Sequence, residues 1–302
     1  MIYHDPVMLL ESVKGLDIKP DGIYVDATFG GGGHSKEILK HLVNGRLVAF
    51  DQDGDAEKNI IADKKFLFVR HNFRYIKNFL MYNGIQQIDG LIADLGVSSH
   101  QFDGPRRGFS FRSEGVLDMR MNQVSDKSAR TILNSYDEKK LTAIFKQYGE
   151  LPNAYKLALL ITKKRKEEEI ITINQLIRTI ESCIPKHAEN KFLAQVFQAI
   201  RIEVNNELES LKVLLKESTQ LIKDNGRLVI ITYHSLEDRL AKNFIKSGNF
   251  EGKLEKDFYG KVRTPFRAIN KNVIVPVNEE IERNNRARSA KMRIAERVRN
   301  EL

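Results

Sequence analysis

The chain has 302 residues, 49 Lys+Arg against 40 Asp+Glu, and a formal net charge of +9. That length suggests two domains of about 150 residues each, and 41% apolar with 29% charged residues excludes a disordered chain, which carries fewer apolar residues. The single cysteine, Cys183, excludes an internal disulfide, a thiolate zinc site and a CxxC redox motif, so a reducing compartment and no metal are expected. The N-terminus lacks the basic flank and cleavage site of a secretory leader, and no stretch approaches the ~20 apolar residues of a membrane span, which leads to the expectation of a cytoplasmic protein with no membrane contact. The positive surplus favours polyanionic partners and says nothing about fold.

Residues 22–29 (GIYVDATF) read as a strand, 34–43 as a helix and 46–51 (RLVAFD) as a second strand. A short helix at 56–62, a strand at 66–70 (FLFVR), a helix at 74–82 and a strand at 90–95 (GLIADL) follow. This alternation predicts an α/β fold with neighbouring parallel strands and right-handed connections. Residues 98–120 are rich in Gly, Ser, Arg and Asp and form a long loop of the kind that is functional in compact domains. From 125 to 221 almost no β-rich run occurs. Leu133, Leu141, Ile144 and Phe145 recur at helical spacing, Pro152 suits the first turn of a helix, and Thr172 with Gln175 reads as a capping box. A helix through 206–223 ends at Asp224-Asn225-Gly226 in a left-handed stop, and strand character returns at 227–233 (RLVIITY). The last two strands are expected between 250 and 277, with 273–275 (VIV) the clearest piece, and the arginine-dense tail from Glu279 as a partial helix or a mobile arm. The resulting division is an α/β domain at 1–105 and 205–302, interrupted by a helical insertion at 106–204.

The first chemical signal is 26–34 (DATFGGGGH), four glycines at a strand-to-helix turn. Glycines let a backbone pass close to a ligand, and such turns lie at the strand ends where open α/β sheets bind nucleotide-like molecules. Asp51 ends the second strand, where a carboxylate can accept both ribose hydroxyls of an adenosine. A P-loop is excluded because no Gly-Lys-Ser/Thr follows, and the dinucleotide fingerprint fails because Ser35 occupies its third required position. An adenosine-bearing ligand without a pyrophosphate fits better, and S-adenosylmethionine is the common one. The fourth strand ends in 94–101 (DLGVSSHQ), which would set Asp94 at the opening where a transferred methyl group meets its acceptor.

These runs, together with 107–112 (RGFSFR), 117–121 (LDMRM), 197–205 (FQAIRIEVN), 234–239 (HSLEDR) and 285–290 (NRARSA), resemble the ribosomal RNA small subunit methyltransferase H family, formerly called MraW. The resemblance covers essentially the whole chain. It implies a Rossmann-like class I methyltransferase sheet, doubly wound, with an inserted all-helical substrate-recognition domain. It also implies S-adenosyl-L-methionine as cofactor and N4-methylation of one cytidine in the decoding region of small-subunit ribosomal RNA. The implied cofactor contacts are Gly32, Gly33 and His34 in the glycine turn, Asp51 on the ribose, Phe73 near the adenine, and Asp94 and Gln101 from the fourth-strand loop. His100 stands where the family usually has proline, and Tyr233 where it often has phenylalanine.

Methyl transfer from a sulfonium is an in-line displacement that needs donor and nucleophile held at near-attack distance. The cytosine N4 lone pair is delocalised into the ring, so a hydrogen-bond acceptor that favours a pyramidal nitrogen would help, and Asp94 is the catalytic candidate. The related Asp/Asn-Pro-Pro-Tyr motif supplies an aromatic at its fourth position, where this chain has Val97. Base stacking is therefore expected from Phe109, Phe111 or Tyr233. His234 reads as a proton acceptor or as a histidine orienting its loop, Ser235 and Asp238 as helix caps, and Asp118 as a loop-fixing carboxylate paired with an arginine. Arg106, Arg107, Arg112 and Arg120 interleaved with Phe109 and Phe111 have a single-strand-binding composition. A second basic set comprises Arg283, Arg286, Arg288, Lys291 and Arg293. Expected RNA contacts are Arg107, Phe109, Arg112, Arg286 and Arg288, whereas 163–169 (KKRKEEE) cancels locally and reads as a solvated helical face. The partner is small-subunit ribosomal RNA or the assembled small subunit, and the insertion leaves a homodimer open. The other readings are a DNA or other-RNA amino-methyltransferase and a non-catalytic assembly factor that retains a cofactor pocket.

Overall fold

A computed structural model describes residues 6–104, 106–256, 258, 260 and 264–298. It divides into an α/β unit, Met1–Gly96 with Leu208–Leu302, and a helical unit, Val97–Glu207. In chain order the first contains α1 (Leu9–Leu16), β1 (Ile23–Asp26), α2 (Gly33–His41), β2 (Arg46–Asp51), β3 (Phe66–Arg70), α3 (Ile76–Tyr82) and β4 (Ile88–Asp94). The helical unit then carries α4 (Ser99–Asp103), α5 (Ala129–Ser135), α6 (Glu138–Gln147), α7 (Ala154–Lys164), α8 (Ile173–Ile180) and α9 (Glu189–Asn205). The chain returns through α10 (Glu207–Leu221), β5 (Ile222–Thr232), α11 (Ser235–Ser247), β6 (Phe266–Ala268), α12 (Asn278–Arg283) and β7 (Lys291–Arg297).

The seven strands form one sheet in the order β3-β2-β1-β4-β5-β7-β6. The first five are parallel to their neighbours and β7 runs antiparallel to both β5 and β6. Strands buried on both faces read as nearly continuous apolar runs, which is why these segments look strand-like in sequence. Tyr24, Leu47, Ile92 and Val229 point to one face, against Leu16 of α1 and Ile38 and Leu39 of α2. Val25, Val48, Leu91 and Leu228 point to the other, against Leu80 of α3, Leu211 and Leu215 of α10 and Phe244 of α11. Strand order reverses between β1 and β4, so their C-terminal ends flank the crevice in which doubly wound sheets bind ligands.

The helical unit has its own core, in which Leu133, Leu141, Ile144 and Phe145 are buried with Leu157, Ile161 and Ile200. It takes in Val97 and Phe102, which pack against that core. The compact unit therefore begins nine residues before the expected boundary at 106 and ends three beyond 204. Thr172 and Gln175 form the expected capping box. Pro152 lies just outside its helix, whose N-cap is Asn153.

Four sequence expectations change. Asn206 adopts φ 53° and separates α9 from α10 instead of lying within one helix that begins there. Asn225 does adopt the expected left-handed conformation, φ 63°, but inside β5, which already starts at Ile222. Residues 273–275 contribute only a single bridge, Ile274 to Met292, because the Asn270 side chain takes the Ile294 N–H at 2.8 Å instead. The last strand is Lys291–Arg297 within the arginine-dense tail, with Met292 and Ile294 buried on one face and Ala295 on the other. Its charges are taken up locally. Arg293 Nε donates to Asp238 at 2.7 Å, Glu296 accepts from Arg227 at 3.0 Å, and Arg297 Nε donates to the Thr219 carbonyl at 2.8 Å.

Candidate active site

Three carboxylates stand at the C-terminal ends of adjacent strands: Asp51 on β2, Asp26 on β1 and Asp94 on β4. Asp26 is 1% exposed and builds the turn that follows. Its Oδ1 accepts from Thr28 N at 3.0 Å and its Oδ2 from Ser35 Oγ at 2.7 Å, which ties the loop to the first turn of α2. Asp51 holds the same turn from the other side, accepting from Gly30 N at 2.7 Å and from Asp53 N at 2.8 Å. This bracing role of Asp51 comes in addition to the ribose contact expected of it. A carboxylate oxygen has two lone pairs, so the two uses are compatible.

The glycines serve different ends. A Cβ on Gly33 would come within 2.6 Å of Pro6 Cγ, and one on Gly32, which adopts φ +76°, within 2.9 Å of the Phe29 ring, so packing at both and the backbone conformation at Gly32 favour glycine. Gly30 adopts φ +50°, and a Cβ built on it would meet nothing within 4 Å. This left-handed, uncovered position is the approach that a close-bound ligand needs. His34 is buried, and its Nε2 lies 3.1 Å from the Val7 carbonyl. A carbonyl only accepts, so Nε2 carries the proton, and burial depresses the basicity of the ring. Phe73 sits in a 3-10 turn, Phe73–Tyr75, half-buried against the sheet face shared with α3 and α10.

Asp94 is more accessible than Asp26, with 21% of its side chain exposed. Its backbone N–H donates to Thr28 Oγ1 at 2.7 Å. Its Oδ1 accepts from the Tyr233 hydroxyl at 2.7 Å, and its Oδ2 lies 4.0 Å from His34 Nδ1. Burial pushes Asp26, Asp51 and Asp94 each up to about 6, and the charge of Asp26 raises the other two further. Three acids and no Lys or Arg in the glycine turn suit a hydroxylated, cationic ligand and repel a phosphate. The donor set thus fits an adenosine bearing a sulfonium.

In the helical unit the RNA-facing expectations divide. Phe109 is 5% exposed and Arg107 8%. Phe109 belongs to the helical core, and an Arg107 Nη donates to the carbonyls of Arg120 and Met121 at 2.9 and 3.3 Å. Neither is available to a base or a phosphate, so both assignments are corrected. The loop folds inward because Gly108, φ +73°, brings its α-carbon so close to Val116 that a Cβ would lie 2.4 Å from that carbonyl oxygen. Phe111 packs edge-on against Phe197, with ring centroids 5.8 Å apart. Arg112 is exposed over the Phe111 ring. Arg120 and Asp118 form the expected loop-fixing pair, at 2.7 and 2.9 Å. Gln101 is buried, and its Oε1 accepts from Ser98 N at 3.1 Å in a capping box on α4. In the 163–169 run Lys164 pairs with Glu167 and Glu168, but Glu169 takes Arg130 from outside the run at 2.7 Å, and α7 ends at Lys164, so the expected helical face stops there; the run borders a cavity of about 620 Å³ beside α8.

Back in the α/β unit, His234 is the N-cap of α11, its Nδ1 accepting from Glu237 N at 3.4 Å. This displaces Ser235 and Asp238 from the expected cap, and Asp238 instead anchors Arg293. Arg288 is exposed and Arg286 half-buried in a 3-10 turn, Asn285–Ser289.

The model of the MraW methylase family matches residues 1–298. The chain belongs to the MraW methylase family. Among its MraW relatives, the "Ribosomal RNA small subunit methyltransferase H" of Parabacteroides distasonis is 58% identical over 298 residues, 98% of both chains. The protein of the same name from Flavobacterium johnsoniae is 55% identical over 299 residues, 99% of both. An rRNA methylase from Streptococcus thermophilus is a weaker likeness among solved structures, with a TM-score of 0.43 and 10% identity over 96% of this MraW chain and 95% of that one. Among the described residues, no helix is long and apolar enough to cross a membrane.

Proposed function

We propose that this MraW methylase transfers a methyl group to the N4 amine of a cytidine in the decoding region of small-subunit ribosomal RNA, acting in the cytoplasm. The observation that carries the chemistry is Asp94, a partly accessible carboxylate at the end of β4, braced through both its backbone and one of its oxygens. The donor, S-adenosyl-L-methionine, supplies an electrophilic methyl carried on a sulfonium. Asp51 takes the ribose hydroxyls, Phe73 borders the adenine, and the backbone from Gly30 to His34 passes along the ligand. Asp94 accepts a hydrogen bond from the exocyclic amine, draws its lone pair out of conjugation, and stabilises the positive charge that grows on nitrogen as the new bond forms. Burial raises its pKa to about 6, which still leaves it ionised at neutral pH and makes it a better acceptor for the proton that the methylated amine releases.

The names of the relatives support the RNA substrate. Small subunits lacking the modification, incubated with the full chain and methyl-tritiated donor, are expected to yield label that co-migrates with N4-methylcytidine after nuclease digestion. Label in another nucleoside, or transfer to DNA instead, would overturn the substrate assignment. Binding to the subunit without any label would leave a non-catalytic assembly factor. Exposed Arg288, half-buried Arg286 and Arg112 are proposed backbone contacts. Replacing Arg286 and Arg288 by alanine is expected to weaken RNA binding and to flatten the slope of log K against log salt by up to ~0.7 per lost contact. An unchanged slope removes that turn from the interface.

A further inference from the structure

We propose that Tyr233 is a positioning residue for methyl transfer, its hydroxyl fixing Asp94 so that Oδ2 is the oxygen presented to the target amine. The inference rests on the reading of Asp94 as the amine acceptor. Tyr233 directly follows β5, and the β4–β5 register sets Asp94 beside Ile231. The tyrosine is held from two sides. Its backbone N–H donates to Glu237 Oε2 at 3.0 Å, and its ring lies over Gly96, where a Cβ would come within 3.2 Å of Cδ2. Gly96 adopts φ +102°, so both the space and the backbone conformation at that position favour glycine.

A phenol has one proton to donate, and this one goes to Asp94 Oδ1 at 2.7 Å, a normal length for a charge-assisted O–H···O bond. The bond removes the carboxylate's rotational freedom and makes its two oxygens unequal. Oδ2 faces His34 Nδ1 at 4.0 Å. Because His34 uses its Nε2 proton on the Val7 carbonyl, Nδ1 of the neutral ring carries a lone pair and does not donate to Oδ2. Oδ2 thereby keeps its capacity to accept from an incoming N–H.

The groups that face Asp94 come from three elements and the segment after β5. Burial raises its pKa most. The Tyr233 hydroxyl lowers it, Asp26 of β1 and Glu237 of α11 raise it, and His34 of α2 lowers it only in its protonated form. With His34 neutral, the hydroxyl is the lowering influence that acts, and deleting it makes Asp94 protonate at higher pH.

The test is the single-turnover rate on small subunits, with saturating S-adenosyl-L-methionine, measured from pH 5 to 9 for the full chain and for Tyr233→Phe. The unmodified protein is expected to lose rate on the acid side with a midpoint near 6. Tyr233→Phe is expected to move that midpoint up by about one pH unit, the scale of one hydrogen bond to a charged group, and to lower the plateau roughly fivefold. Its melting temperature and calorimetric donor affinity should stay close to those of the parent. Site-specific 3-fluorotyrosine at position 233 keeps the ring, strengthens the donor, and is expected to move the midpoint down. A plateau that falls with an unmoved midpoint in both variants indicates packing only and overturns the inference. Unchanged rates and midpoint in Tyr233→Phe, with Asp94→Asn inactive, overturn the role of Tyr233 and leave that of Asp94 standing. Near-normal transfer by Asp94→Asn overturns both.

Discussion

Asp94→Asn is expected to lower the single-turnover rate of methyl transfer by roughly 10²- to 10³-fold at saturating donor, the usual cost of removing one electrostatic stabiliser of a transition state. The substitution preserves shape. The amide oxygen still accepts from the Tyr233 hydroxyl, which then directs the NH₂ toward the position held by Oδ2. Two donors, the new amide and the substrate amine, would meet there. The variant thus removes the negative charge and also reverses the polarity of the contact. Folding should not suffer. The buried carboxylate already resists ionisation, and a neutral amide avoids that desolvation, so the melting temperature should stay level or rise. The acid limb of the pH profile near 6 should disappear along with the rate. Donor affinity measured by calorimetry tells whether Asp94 also holds the cofactor. An unchanged affinity confines its role to the acceptor, and a near-normal rate with intact folding would remove it from the chemistry.

The acids at the ends of β2 and β4 were legible because a parallel strand buried on both faces is a run of apolar residues, and an Asp that ends such a run marks the ligand side of the sheet, whereas Asp26 stood inside the expected strand 22–29 and its place at the end of β1 was not seen. Tyr233 was visible only as an aromatic. Its bond to Asp94 spans 139 residues and depends on the β4–β5 register, which an insertion of more than a hundred residues hides from any local pattern. The last strand was missed for a different reason. In Lys291–Arg297 the charged side chains pair at the sheet margin, and only Met292 and Ile294 betray the alternation. The arginine-aromatic loop misled because composition does not distinguish a surface that binds a base from a loop pinned into a core. Gly108, whose positive φ turns the loop inward, was the residue that carried the distinction.

Phe109→Ala is expected to destabilise the helical unit by about 3–5 kcal/mol, the range for truncating a buried aromatic. The ring is 5% exposed within the core that contains Phe145, Leu157 and Phe197, and the Arg107 guanidinium lies over it, 5.8 Å from the centroid. Its loss opens a cavity and also removes the cation–π partner of an arginine whose donors hold the Arg120 and Met121 carbonyls. The loop should loosen as a whole. Because this unit has a core of its own, the effect belongs there, and hydrogen exchange should show faster opening of α5 to α9 with the strands β1 to β5 little changed. Arg112→Ala is the matched control. That side chain is exposed, so stability should stay within about 0.5 kcal/mol, and any loss of RNA affinity belongs to the interface. If instead Phe109→Ala left exchange in α5 to α9 unaltered and weakened RNA binding, the ring would have to be a stacking surface and its place in the core would be wrong.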